Sequence, residues 1–375
     1  MARAMVAAAR HDAVLRELEL RGSLSNAPFS ARLGISPMTL RRDLIELEER
    51  GLLVRVHGGA MSPSVARQQQ SARGHGRVAE RPVATIGMIV PTASYYFPEV
   101  IRGASEAARE LNCRLVVGAT NYSPQEELRQ AQRLIAGGVD ALMITPHDTI
   151  HDASPLQEVL ATARIPVVLV ERSIDERHAG RLEWVRSDHV YGTELAVRHL
   201  VEQGHRRIAL VSRPAVTLAS LAAGFDRAMR DLGDEGFALR GDLSTPVIGE
   251  SVTISELGAL VEECVEQRVT AAIVLGDADS MAFTDLVLER GLRIPEDFAV
   301  VAYDDEISAL AAVPLTAVAP PKHELGHAAL RLCFDRLRQA EGSAHTVVRM
   351  TLLPALVVRE SSVRLQDPHP DLELV

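Results

Sequence analysis

From about Val83 onward, short apolar segments alternate with amphipathic ones for about 290 residues, and no other feature limits the fold as strongly. Ile86 to Val90, Leu115 to Ala119, Ala141 to Thr145, Val167 to Glu171, Ile208 to Ser212, Ala271 to Leu275 and Ala299 to Tyr303 read as strands. Pro98 to Leu111, Gln125 to Ala136, Val190 to Gln203, Ala278 to Arg290 and His323 to Ala340 read as helices. Regular βα alternation predicts parallel sheets covered on both faces. The stretch is too long for a single sheet, so two stacked βα lobes are expected. Ligands of such folds sit at the carboxyl ends of strands, and a cleft between lobes offers two sets of these ends.

The 375 residues exceed what one core usually serves. Net charge is -10, but it is unevenly placed: residues 1–82 hold 13 arginines against 8 acids, and the remainder is acidic. A basic nucleic-acid module on an acidic body is the expectation. No apolar run approaches the ~20 residues that span a bilayer, and no signal peptide is read at the start. Cys113, Cys264 and Cys333 stand far apart without a CxxC pair. These features lead to the expectation of a reduced, cytoplasmic location without membrane association.

The first unit is read as residues 1–60. Val14, Leu15 and Leu18 repeat at helical spacing; Phe29, Leu33 and Ile35 lead through Gly34 into Ser36 and Pro37. Ser36 can cap a helix whose first turn tolerates Pro37. Leu40, Leu44 and Leu47 then share one face, which leaves Arg41 and Arg42 beside it. Gly51 ends that helix, and Leu52 to Gly59 reads as a short hairpin: helix, turn, helix, wing. Residues 61–82 are polar, with Gln68, Gln69 and Gln70 in a row, and read as a linker.

The segment from Leu33 to Ala60, LGISPMTLRRDLIELEERGLLVRVHGGA, resembles the DNA-binding domain of the DeoR family. That resemblance implies that Ser36, Met38, Thr39, Arg41 and Arg42 face double-stranded operator DNA, with Arg55, His57 and Gly58 on the wing. Chemistry agrees, since a helix fits the major groove and arginine bonds guanine edges bidentately. The alternative is that Arg41 and Arg42 merely solvate a helix surface.

The larger part, residues 83–362, is similar to the effector-binding domain of the LacI family, with residues 363–375 left as a tail. Ile86 to Pro91 (IGMIVP), Gly137 to Pro146 (GGVDALMITP), Ile165 to Arg172 (IPVVLVER) and His199 to Ile208 (HLVEQGHRRI) carry the likeness. So do Gly291 to Asp305 (GLRIPEDFAVVAYDD), Pro314 to Val318 and Leu353 to Ser362. The fold this implies is α/β: a two-lobed, periplasmic-binding-protein-like domain with parallel sheets, behind an N-terminal winged helix-turn-helix.

By the same resemblance, a small-molecule effector would meet Tyr95 and Phe97 after the first strand, Asp148 after the third, Arg172 after the fourth, and Asp277 after Gly276. Each has a structural alternative. Tyr96 or Phe97 belongs to a core, Asp148 caps a helix, Arg172 pairs with a carboxylate, and Asp277 opens the helix from Ala278. Where many family members carry a ligand-holding arginine, this chain has Leu221, and Arg213, just after the fifth of these strands, is a candidate substitute. The implied protein is a ligand-responsive homodimeric regulator, a repressor by resemblance. No cofactor, metal or catalytic residue is assigned. An enzyme would need a use for His147, Asp148, His151 and Asp152, or for Asp304 and Asp305, yet the sequence holds no GxSxG elbow, Walker loop or GxGxxG after a strand.

Overall fold

The computed structural model describes residues 10, 11, 13–15, 17, 18, 23–50, 52–56, 59–61, 82–147, 154–172, 180, 182–244, 254–339 and 346–363. The expected linker and C-terminal tail lie almost entirely outside these, as do His57, Gly58, Asp148, His151 and Asp152. The chain divides into two units, Met1–Arg81 and Pro82–Val375.

In the first unit, α1 (Asn26–Leu33) and α2 (Pro37–Glu49) are joined through Gly34, whose φ of 63° is cheap for glycine alone. Ser36 caps α2 by accepting the Thr39 N–H at 3.0 Å, and Pro37 occupies the first turn as expected. Leu40, Leu44 and Leu47 are buried with Val14, Leu18, Phe29 and Leu53. Each such side chain contributes ~1.5–3 kcal/mol. The wing is a three-stranded antiparallel sheet: β1 (Ser23–Ser25) pairs with β3 (Gly59–Met61), which pairs with β2 (Val54–Val56). The strand at Ser23–Ser25 was not visible in the sequence.

The second unit has two lobes. In the first, β4 (Thr85–Val90), β5 (Arg114–Ala119), β6 (Ala141–Ile144), β7 (Val167–Val170), β8 (Glu183–Ser187) and β14 (Arg349–Leu352) form a parallel sheet of order β14-β8-β7-β6-β4-β5. In the second, the order is β10 (Phe237–Asp242), β9 (Arg207–Ser212), β11 (Ala271–Leu275), β12 (Ala299–Tyr303), β13 (Thr316–Ala319) and β15 (Ala355–Val357). This sheet is parallel except at its edge, where β15 runs antiparallel to β13. The central strands β6, β7 and β12 are buried along their whole length, which is why they read as unbroken apolar runs.

Helices α3 (Phe97–Glu110), α4 (Pro124–Ala136) and α5 (Pro155–Thr162) belong to the first lobe. Helices α6 (His189–Glu202), α7 (Leu218–Arg230), α8 (Ile254–Glu266) and α9 (Asp277–Glu289) belong to the second. The final helix α10 (Lys322–Leu337) returns to the first lobe and packs on α3 and the β6–β8 strands. The chain therefore crosses between lobes three times, at Asp188, at Pro320–Pro321 and at Leu353–Pro354. These crossings place the carboxyl ends of both sheets together.

The α3–α10 contact is built on glycine. A Cβ on Gly103 would lie 1.9 Å from the His323 carbonyl oxygen, and one on Gly326 would lie 1.8 Å from that of Val100. The α6–α7 pair repeats the device, with Gly224 against the Val190 carbonyl. Alanine favours a helix over glycine by ~1 kcal/mol, whereas overpacking against a rigid backbone costs ~1–3 kcal/mol or more. Overpacking should win: Gly326→Ala and Gly103→Ala are expected to lower the urea midpoint. A rise in midpoint would show that the two helices are free to separate.

Candidate DNA-contacting face and inter-lobe site

Helix α2 presents Met38, 74% exposed, and exposed Arg42 opposite the leucine stripe, with exposed Arg41 at its flank. Asp43 points inward and is held by the Arg10 guanidinium through bonds of 2.7 and 2.9 Å, with His11 at 3.4 Å. Hydrogen bonds from Arg10 hold its carboxyl below the usual range. Ser36 and Thr39 share a 2.8 Å hydroxyl contact at the start of the helix. Of the wing residues, Arg55 bonds the Glu48 carboxylate through its backbone N–H at 2.9 Å and also through its guanidinium. Arg55 thus ties the wing to the end of α2, a structural task the sequence did not disclose.

In the second unit, the turn after β4 carries Tyr95, which has a φ of 56° and reaches the other lobe. Its hydroxyl donates to Asp304 Oδ2 at 3.2 Å and accepts the Asp277 N–H at 3.0 Å. Asp277 has no exposed surface, and its Oδ2 accepts the backbone N–H groups of Glu306 (2.6 Å), Ile307 and Ser308 (3.1 Å). Asp277 is the first residue of α9, so the loop after β12 is organised around a carboxylate at a helix N-terminus. Its Oδ1 is buried without a hydrogen-bond partner among the described residues, as are the hydroxyls of Thr120 and Thr145 at the ends of β5 and β6.

Beside this, Glu171 leaves β7 with a φ of 64°, which ends that strand one residue earlier than its apolar pattern predicts. The Glu171 carboxylate accepts from the Tyr96 hydroxyl at 2.6 Å and from the Ser187 N–H and hydroxyl at 3.1 Å, and lies 3.0 Å from His189 Nε2. Burial alone would raise its pKa, but His189, Tyr96 and Ser187 outweigh burial and hold it below the usual range. His189 Nδ1 continues the chain to the Tyr303 hydroxyl at 3.1 Å, so one polar relay joins β7 of the first lobe to β12 of the second.

Lys322, at the start of α10, is the single lysine of the sequence. It is buried, donates to the Asp304 carbonyl, pairs with the Glu306 carboxylate and lies over the Tyr96 ring. Asp305 is held by Arg359 through bonds of 2.7 and 3.0 Å.

The residues expected around an effector are therefore only partly assembled. Tyr95 and Asp277 meet. Phe97 does not join them: the first residue of α3, it packs in the core of the first lobe, edge-on to Tyr96. Arg172 donates to the carbonyls of Pro146 and His147 and so braces the turn after β6. Asp148 lies outside the described residues. Leu221 is buried in the second lobe, and Arg213 is engaged by Asp279 at 2.7 and 3.1 Å. Sequence reasoning missed Glu171, His189, Tyr303, Lys322 and Tyr122, whose ring is edge-on to His147. The uniqueness of Lys322 in an arginine-rich chain was a readable signal; the others carried none.

With this geometry in hand, residues 10–66 match a DeoR-like helix-turn-helix domain and residues 197–362 a periplasmic binding protein-like domain. The arabinose metabolism transcriptional repressor of Geobacillus stearothermophilus is 27% identical over 334 residues, 88% of each chain. The transcriptional repressor PurR of Aliivibrio fischeri is 27% identical over 285 residues, 74% of this chain and 80% of the other. A CelR–cellobiose complex superposes with a TM-score of 0.60 at 26% identity, covering 88% of this chain and 98% of that one. The regulator CcpA of Lactococcus lactis shares the fold, with a TM-score of 0.61 at 21% identity over 75% of this chain and 99% of its own. Fold and site together define a transcriptional regulator with a DNA-binding head and a two-lobed body. In particular, the chain joins a DeoR-like helix-turn-helix domain to a two-lobed, periplasmic-binding-protein-like domain.

Burial, partly offset by the charges of Lys322 and His189, pushes the Asp304 carboxyl up to about 7. An unfolded aspartate titrates near 4, so between about pH 4 and 7 the native state keeps a proton that the unfolded chain releases. This contribution makes stability fall as pH rises through that window and level off above it. Asp304→Asn is expected to flatten the decline, measured as urea midpoints from pH 4 to 8. An unchanged slope would remove Asp304 as its source.

Proposed function

We propose that this regulator is a ligand-responsive repressor that works in the cytoplasm as a homodimer on palindromic operator DNA. Its effector is a hydroxyl-bearing small molecule held where the lobes meet. The observation that carries this reading is Tyr95 spanning the lobes to Asp277 and Asp304, together with buried oxygens on Asp277 and, at the carboxyl ends of β5 and β6, on Thr120 and Thr145 that have no partner among the described residues. Ligand hydroxyls would satisfy such groups. The names of the relatives, an arabinose metabolism repressor and a cellobiose complex, point to the same chemistry. Two-fold symmetry would set the half-site spacing, and lobe movement would change it. The protein acts by binding, not by turnover.

Two experiments test this. Genomic fragments retained by the purified protein supply the operator. Against it, Arg41→Ala with Arg42→Ala should weaken binding on the order of 10²–10⁴-fold, since charge-assisted contacts are each worth ~1.5–3 kcal/mol. Unchanged affinity in the folded double variant would remove α2 from the interface. A thermal-shift screen of sugars, polyols and sugar phosphates then identifies the effector, because a ligand of the native state raises its melting temperature.

Asp277→Asn keeps an acceptor for the 306–308 loop but loses the charge. It should reduce effector affinity ~10–200-fold by calorimetry while operator binding persists. A lowered melting temperature with equal effector affinity would confine Asp277 to organising its loop.

A further inference from the structure

Away from the lobe junction, the Gly-packed helices α3 and α10 run side by side and bring four potential metal ligands to one surface. His323 and His327 stand four residues apart on α10, and Glu106 and Glu110 stand four apart on α3, so each pair shares one helix face. His323 Nε2 lies 3.0 Å from Glu106 Oε2, and His327 Nε2 lies 3.3 Å from Glu110 Oε2. The imidazoles are stacked with an interplanar angle of 22° and centroids 6.4 Å apart. Glu106, His323 and His327 line a surface concavity that Glu324, Ala328 and Leu352 complete.

We propose that these four residues form a surface binding site for a first-row divalent cation of the zinc class. Two donors bound to one tetrahedral zinc at ~2.0–2.1 Å are separated by about 3.3 Å, so both His–Glu pairs already stand near ligand spacing. As the side chains stand, they form two pairs, and among the described residues no three donors converge on one point. Convergence would require rotation of these partly exposed side chains, on two backbones that the close approach at Gly103 and Gly326 holds at fixed spacing. Two histidines at i and i+4 on one helix face are a recognised chelating arrangement. Nitrogen donors select zinc, nickel or cobalt over magnesium. Arg331 is 3.2 Å from Glu110 Oε2 and competes with the cation for that carboxylate. Both helices begin at the lobe junction, α3 directly after Tyr96 and α10 at Lys322, so a cation here would clamp together two elements that carry junction residues.

The test is calorimetry of zinc chloride into full-length, chelator-stripped protein without an affinity tag. Wild type is expected to take up one zinc that magnesium does not displace. Removing even an outer partner of a metal ligand typically costs 10–100-fold in affinity, so His323→Ala with His327→Ala should lose at least about tenfold. Glu106→Gln with Glu110→Gln should also weaken binding, and Arg331→Ala should tighten it. Circular dichroism melts establish that the surface variants are folded. Absence of zinc uptake by wild type, or equal uptake by the double-histidine variant, would overturn the site. Equal competition by magnesium would overturn the role of the nitrogen donors.

Discussion

The Asp277 carboxylate gathers three consecutive backbone N–H groups, those of Glu306, Ile307 and Ser308, at the N-terminus of its own helix, and the geometry of the lobe junction follows from that. A buried carboxylate is costly unless its lone pairs are satisfied, and here the loop after β12 supplies the donors. From the other side, Lys322 holds the same loop through the Asp304 carbonyl and Glu306. The loop belongs to the second lobe, whereas the helix that Lys322 opens packs in the first. Charges of opposite sign therefore grip one short segment from both lobes, and Tyr95 adds a third attachment.

The junction differs in chemistry from the interior of either lobe. The contacts described above are hydrogen bonds and ion pairs, whereas each lobe is consolidated by two apolar layers, one on either face of its sheet. Hydrophobic layers resist small deformation because their packing is dense, but hydrogen bonds at a junction can be exchanged for bonds to a ligand. The Glu171–His189–Tyr303 relay adds a buried connection across the crossing at Asp188, with each polar group answered by another. One run of side chains thus joins the carboxyl end of β7 to that of β12.

The DNA head follows a different economy. Its core is a small apolar cluster, its buried Asp43 is answered by Arg10, and its wing is tied back by Arg55 to Glu48. Two of its arginines are thereby assigned to internal structure, while Arg41 and Arg42 remain exposed on α2. An excess of arginine in a sequence is therefore a poor count of the residues available to a phosphate backbone.

Much of the architecture was legible in the chain. The leucine spacing and Ser36-Pro37 define α2, and the apolar runs mark the buried parallel strands, because periodicity is a local property of the covalent sequence. The strands at Glu183–Ser187 and Arg349–Leu352 were not legible: Glu183 is buried only because Arg336, 153 residues later, neutralises it. The same reason separates the site residues. Tyr95 stands in the turn after β4 and Asp277 opens α9 directly after β11, positions that can be read from the strands before them. Whether Phe97 faces a ligand or a core, and whether Arg172 meets an effector or braces a turn, depends on neighbours far away in sequence. So does the meeting of Glu171, His189 and Tyr303. The sequence by itself determined the two-domain plan, the helix that faces DNA by resemblance, and the βα order. Only the tertiary structure decided which polar groups are answered within the chain, because burial and partnership are set by residues that three crossings between lobes bring together.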